Sequence, residues 1–182
     1  MEIRLAKTAG FCFGVSKAVD QVYQLLAQGR QVCTLGPIIH NPQLVAELET
    51  KGVYAVTSPE EVPAGAVLVI RSHGVPPDTL QRFEERQVEI CDATCPFVAK
   101  IHRIVEQESQ KGATVLIAGD EGHPEVVGIR GFSHTPSYVF SSLEELEKLL
   151  RSGVIPVENP VIMVPQTTFN RFAWEKCVKF AK

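Results

Sequence analysis

Six short segments of this 182-residue chain carry residue types that can do chemistry. Cys12 sits in Ala9-Gly10-Phe11-Cys12-Phe13-Gly14 and Cys95 in Asp92-Ala93-Thr94-Cys95-Pro96. His40 ends Gly36-Pro37-Ile38-Ile39-His40, His73 lies in Arg71-Ser72-His73-Gly74, and His123 in Gly122-His123-Pro124-Glu125. Thr167 and Thr168 follow Pro165-Gln166. Thiolates are soft ligands that suit iron–sulfur clusters, zinc or copper(I). Histidines beside helix N-termini, where backbone N–H groups point outward, suit a phosphate. Glu125 follows His123 by two residues, and near a metal it could serve as a general acid. Together they suggest reductive or Lewis-acid chemistry on a small phosphorylated molecule. A lone loop cysteine is more commonly structural, and a lone loop histidine often caps a helix. Six such loops recurring in one chain favour a shared functional site.

What makes them recur is the alternation of strand and helix. Short β-branched runs predict strands at Val32–Leu35, Val53–Thr57, Val67–Ile70, Val88–Cys91, Thr114–Ala118, Tyr138–Ser141 and Val161–Val164. The polar alternation Glu2–Lys7 reads as a further strand ahead of Cys12. Helical periodicity covers 15–26, 42–48, 79–86, 98–110, a stretch after Ser142 and one from about Phe169 onward. Asn41 and Ser142 read as N-caps, and Pro42 fits the first helical turn. Alternating strands and helices predict an α/β fold of small lobes with mostly parallel sheets. The expected division is a first lobe at 1–95 and a second at 96–182. Each chemistry-bearing segment then follows the carboxyl end of a strand, where open α/β sheets bind ligands.

Composition excludes several alternatives. Hydrophobic residues make up 45% and charged residues 21%, so the chain is not disordered in general. A net charge of −3 gives no global field for nucleic acid or anionic lipid. No apolar run approaches the roughly 20 residues of a membrane span, and no secretory apolar stretch follows Met1, so a cytoplasmic protein is expected. There is no Walker A motif and no G-x-G-x-x-G. Five cysteines with no C-x-x-C pair argue against a disulfide framework. Cys33, inside a strand, and Cys177, mid-helix, read as packing; Cys91 reads as structural, though near Cys95 in sequence. His102 and His134 read as surface residues, Glu144, Glu145 and Glu147 as a solvated helix face, and Trp174 as core.

The motifs GFCFGV, GPIIHNP, SHGVPP, DATCPFV, GHPEVVG and PQTT, in this order and spacing, resemble the 4-hydroxy-3-methylbut-2-enyl diphosphate reductase family, iron–sulfur enzymes of the non-mevalonate isoprenoid pathway. The resemblance runs over essentially the whole chain. It implies that Cys12 and Cys95 are two of three thiolates holding a [4Fe-4S] cluster whose remaining iron acts as electron donor and Lewis acid. It implies diphosphate ligation by His40, His73 and His123, proton donation by Glu125, and orientation of the substrate hydroxyl by Thr167, with Thr168 the weaker candidate. The products would be isopentenyl and dimethylallyl diphosphate, with ferredoxin or flavodoxin as electron source. Family members carry a third lobe beyond the PQTT helix, with the third cysteine and Ser/Asn residues of the diphosphate pocket. Lys182 falls in or just after that helix, and Cys177 is no substitute ligand. The expectation is two of three lobes, with little or no cluster and no turnover in isolation, and an exposed face that favours self-association. Two other readings compete. One is a mononuclear zinc enzyme using Cys12, Cys95 and His123; the other is a diphosphate-binding module without redox chemistry.

Overall fold

A computed structural model describes residues 3–7, 9–156 and 158–182. The chain forms two compact units, one of residues 1–72 with 86–95 and one of residues 73–85 with 96–182. The sequence assigns residues 73–85 to the first lobe; in the structure this stretch, with its helix, belongs to the second unit.

The first unit is built on four strands: β1 (Val32–Leu35), β2 (Tyr54–Val56), β3 (Val67–Ile70) and β4 (Glu89–Asp92). All pairings are parallel, in the order β2-β1-β3-β4. Every residue of β1 and β3 is buried, as expected of central strands covered on both faces. Helix α1 (Phe13–Ala27) lays Val15, Ala18, Val19 and Val22 into a core shared with Val32, Val69 and Ala93. Helix α2 (Pro42–Thr50) adds Leu44 and Leu48 to it. The Asn41 side chain accepts from the Leu44 amide at 3.0 Å, and Pro42 occupies the first turn as its sequence suggests.

The second unit holds α3 (Pro77–Glu84), α4 (Pro96–Gln110), β5 (Thr114–Ala118), α5 (Pro124–Gly131), β6 (Ser137–Phe140), α6 (Leu143–Arg151), β7 (Val161–Pro165) and α7 (Arg171–Ala181). Its parallel sheet runs β6-β5-β7. One face packs Val105 of α4 and Val126 and Ile129 of α5 on Val115, Ile117 and Val164. The other packs Leu146 of α6 and Cys177 and Trp174 of α7 on Leu116, Ala118 and Phe140. The period-two alternation of β5 thus feeds two cores, and each fully buried aliphatic side chain contributes roughly 1.5–3 kcal/mol.

Both sheets share a core order in which the second strand lies on one side of the first and the third on the other. That reversal makes a switch point between β1 and β3, and another between β5 and β7.

Further expectations are corrected. The alternation at the N-terminus forms no strand over residues 3–7, and Glu2 lies outside the described residues. Ile3 and Leu5 are 80% and 86% exposed, and two alternating apolar residues do not hold a strand without a ladder partner. Cys12 therefore follows an irregular segment. His102 is buried at 4% exposure, because its position on α4 falls on the stripe of Val98 and Val105, and its ring stacks on Phe132 at 4.3 Å.

Candidate active site

In the second unit, the site grows from the ends of the switch-point strands. The chain leaves β5 at Gly119 and turns into α5, whose N-cap is His123. His123 Nδ1 accepts from the Glu125 amide at 3.1 Å, so the imidazole closes the helix end and its ring is held. Glu125 falls in the first turn and is 1% exposed. Its carboxylate is met by the loop that follows β7. The Thr167 amide donates to Oε1 at 2.6 Å, and the Thr167 hydroxyl donates to Oε2 at 2.8 Å. Both carboxylate oxygens are thus fixed by one residue across the switch point. The His73 ring meets His123 edge to face, with centroids 5.2 Å apart.

Gln166 was not singled out from sequence and proves central to this geometry. It is 4% exposed and directly follows β7, its backbone N–H donating to the Ala118 carbonyl at 2.7 Å. Its side chain receives the Asp120 amide on Oε1 at 3.1 Å and donates from Nε2 to the Thr168 hydroxyl at 2.7 Å. It ties the loop after β5 to the loop after β7. A Cβ on Gly119 would lie 2.8 Å from Gln166 Oε1, so glycine is needed there. The available signal is position: a polar residue directly after a strand. Thr168 itself is exposed and bonds Gln166, not Glu125.

In the first unit, Cys12 is the N-cap of α1, in extended conformation and making no side-chain capping bond. Cys12 is exposed and Cys95 half-buried, and both are free thiols. The Cys95 amide donates to the Ser72 carbonyl at 2.9 Å, which fixes the loop after β4 beside the end of β3. Its thiol lies against the first turn of α1: a Cβ on Gly14 would come within 2.6 Å of Cys95 Sγ. The two cysteines therefore flank one close approach of α1 to the sheet. Two soft sulfur donors at this approach, both free thiols and Cys12 making no capping bond, fit a thiolate-bound metal group. His40 lies in the loop between β1 and α2, directly before the cap Asn41, and is exposed.

The remaining cysteines behave as packing residues. Cys33 is buried and its thiol pKa is pushed up to about 11 by desolvation. Burial also raises Cys177 and Cys91. Arg71, directly after β3, is half-buried, and desolvation lowers its pKa.

Comparison with known proteins settles the family. The family model described as LytB protein matches residues 3–182. The chain belongs to the LytB family. It is 41% identical over 186 residues to the 4-hydroxy-3-methylbut-2-enyl diphosphate reductase of Caldanaerobacter subterraneus subsp. tengcongensis, covering 100% of this chain and 62% of that protein. The reductase of Geotalea daltonii is 44% identical over 168 residues, covering 92% of this chain and 57% of the relative. Among solved structures, a (E)-4-hydroxy-3-methyl-but-2-enyl diphosphate reductase, described as the terminal enzyme of the non-mevalonate pathway, superposes with a TM-score of 0.82 at 36% identity. It covers 98% of this chain and 62% of that one. The Plasmodium falciparum E-1-hydroxy-2-methyl-but-2-enyl-4-diphosphate reductase gives a TM-score of 0.85 at 26% identity, covering 95% of this chain and 54% of that one. The chain thus spans about three-fifths of the length of these relatives. The α/β lobes with parallel sheets expected from sequence are those of the LytB reductases.

Proposed function

We propose that this chain supplies the proton-donating and part of the metal-binding machinery of a 4-hydroxy-3-methylbut-2-enyl diphosphate reductase. The reaction would convert (E)-4-hydroxy-3-methylbut-2-enyl diphosphate to isopentenyl and dimethylallyl diphosphate. The observation that carries the reading is the Glu125–Thr167 pair: a carboxyl group 1% exposed, with both oxygens bonded by one residue in the loops after the adjacent strands β5 and β7. A general acid must sit within hydrogen-bond reach of the group it protonates and keep its orientation between turnovers. With the Glu125 carboxyl protonated on Oε2, that O–H would donate to Thr167 Oγ1, and the Thr167 hydroxyl would turn to donate to the substrate hydroxyl. A proton leaving Glu125 through Thr167 would reach that hydroxyl as it departs as water. Gln166 holds the strand end from which Thr167 projects.

Cys12 and Cys95 would contribute two thiolates to an iron–sulfur group, with a further ligand needed beyond these two to hold four irons. When bound, that group would supply two electrons and a Lewis-acidic iron; ferredoxin or flavodoxin is the expected electron source. His40, His73 and His123 would hold the diphosphate, and the edge-to-face His73–His123 pair supports that use. A mononuclear zinc site is less favoured, because two thiolates joined by His123 leave the Glu125–Thr167 pair without a task.

Complementation tests the reading. The source gene, placed in a bacterium whose own reductase is depleted, is expected to restore growth. E125Q in that gene should lower reductase turnover by about 10²–10⁴, the range of a positioned general acid, while leaving the protein folded. Growth restored equally by E125Q, or not restored by the natural gene, contradicts the proposal.

A further inference from the structure

The two sheets place equivalent residues at their switch points. Gly36 directly follows β1 and Arg71 directly follows β3; Gly119 directly follows β5 and Gln166 directly follows β7. The spatial relation is also the same. A Cβ on Gly119 would meet Gln166 Oε1 at 2.8 Å, and a Cβ on Gly36 would meet Arg71 Nη1 at 3.2 Å. Gly36 has φ +66°, a second reason for glycine there. In both sheets, a long polar side chain from the third strand crosses to the glycine after the first.

Their satisfaction differs. Gln166 is fully employed by the chain, bonding the Asp120 amide and the Thr168 hydroxyl. Arg71 is not. Its Nε is buried with no hydrogen-bond partner, and no carboxylate pairs with it among the described residues. An arginine stays charged at any working pH, and a half-buried charge lacking a counter-ion is unfavourable to the fold. Its guanidinium reaches Gly36 at the carboxyl ends of β1 and β3, the side on which parallel sheets bind ligands, and its fork of donors matches phosphate oxygens.

We propose that Arg71 is an anion-binding residue that takes a phosphate group of the diphosphate ligand at the β1/β3 switch point. This rests on the proposed function for the identity of the ligand, whereas the Arg71 site itself stands on the first unit's geometry. Arg71 is a binding residue, since it contributes no proton and no ligand to metal. It adds a fixed positive charge, where histidines contribute one only when protonated.

The test uses the 182-residue chain with inorganic diphosphate in isothermal titration calorimetry, alongside thermal melts. R71M keeps the stem and removes the charge; R71K keeps the charge and loses the fork. The expected result is binding weakened at least tenfold in R71M and less in R71K. Without anion, R71M should melt at a higher temperature than the natural chain, because an uncompensated charge is gone. With saturating diphosphate, the order of melting temperatures should invert. An R71M that melts lower without anion, or fails to fold while R71K folds, makes Arg71 a packing residue and overturns the proposal. Unchanged affinity in R71M overturns it too. H73A separates the two readings. Affinity lost in H73A but kept in R71M removes Arg71 alone. Affinity lost in R71M but kept in H73A removes the histidine pocket and leaves Arg71. No binding by the natural chain removes both.

Discussion

Glycine and glutamine, more than the reactive residues, decide whether this site has its geometry. Cys12, Cys95, Glu125 and Thr167 are legible in the sequence because their chemistry is unusual in loops. Gly14 and Gln166 are not, since each acts through a neighbour: Gly14 leaves space for the Cys95 thiol, and Gln166 spans two loops. His102 shows the opposite error. Its polarity suggested the surface, but its place on α4 decided burial against Phe132. The same reasoning gives a prediction. A Cβ at Gly14 would stand 2.6 Å from Cys95 Sγ and 2.9 Å from its Cβ, and neither atom sits at the end of a long flexible side chain. G14A should therefore destabilise the chain by about 1–3 kcal/mol, the range for overpacking, and push Cys95 from its place. Urea unfolding measures the first effect, and the rate of Cys95 alkylation with mass-spectrometric readout measures the second. Equal stability and an unchanged alkylation rate in G14A would show that the approach is loose.

At the scale of elements, the strands were read closely because buried parallel strands are short, continuous and β-branched. β1, β3 and β5 have the predicted ends. β4 and β6 differ by a residue at each end, since ladder pairing such as Ile70 with Asp92 sets the limits and side-chain type does not. The N-terminal alternation failed because a strand is a relation between two segments, and period alone does not supply the partner. Helix α5 was not delimited from sequence. Its eight residues include two glycines, and its start depends on His123 acting as a cap. Caps that sequence does reveal, Asn41 and Ser142, bond the Leu44 and Glu145 amides. N41A removes an acceptor from the first turn of the nine-residue α2 and should lower stability by about 1 kcal/mol. Chemical denaturation would show it as a lower midpoint with an unchanged slope, and N41D, which keeps an accepting oxygen, should recover most of the loss. A midpoint unmoved in N41A would mean that packing of Leu44 and Leu48 alone starts the helix.

For the whole molecule, repetition is the informative property. Each unit is a parallel α/β sheet with the same core strand order, and each puts its unusual residues, Cys12 apart, after the carboxyl ends of strands. The sequence shows the loops, but it does not show which strands neighbour one another. The switch points, and hence the pairing of Glu125 with Thr167, appear only once β5 lies beside β7. The family could be read from motif order and spacing, and the match over residues 3–182 agrees with it. The central claim is that Cys12 and Cys95, alone among the five cysteines, hold an iron–sulfur group. The direct measurement is iron and acid-labile sulfide content of the source gene's protein, isolated without oxygen, for the natural sequence and four Cys→Ser variants. C12S and C95S should each lose most of both, while C33S and C177S should keep them, since those thiols are buried in cores. Zinc without sulfide, or full iron and sulfide content in C12S and C95S, would contradict the account.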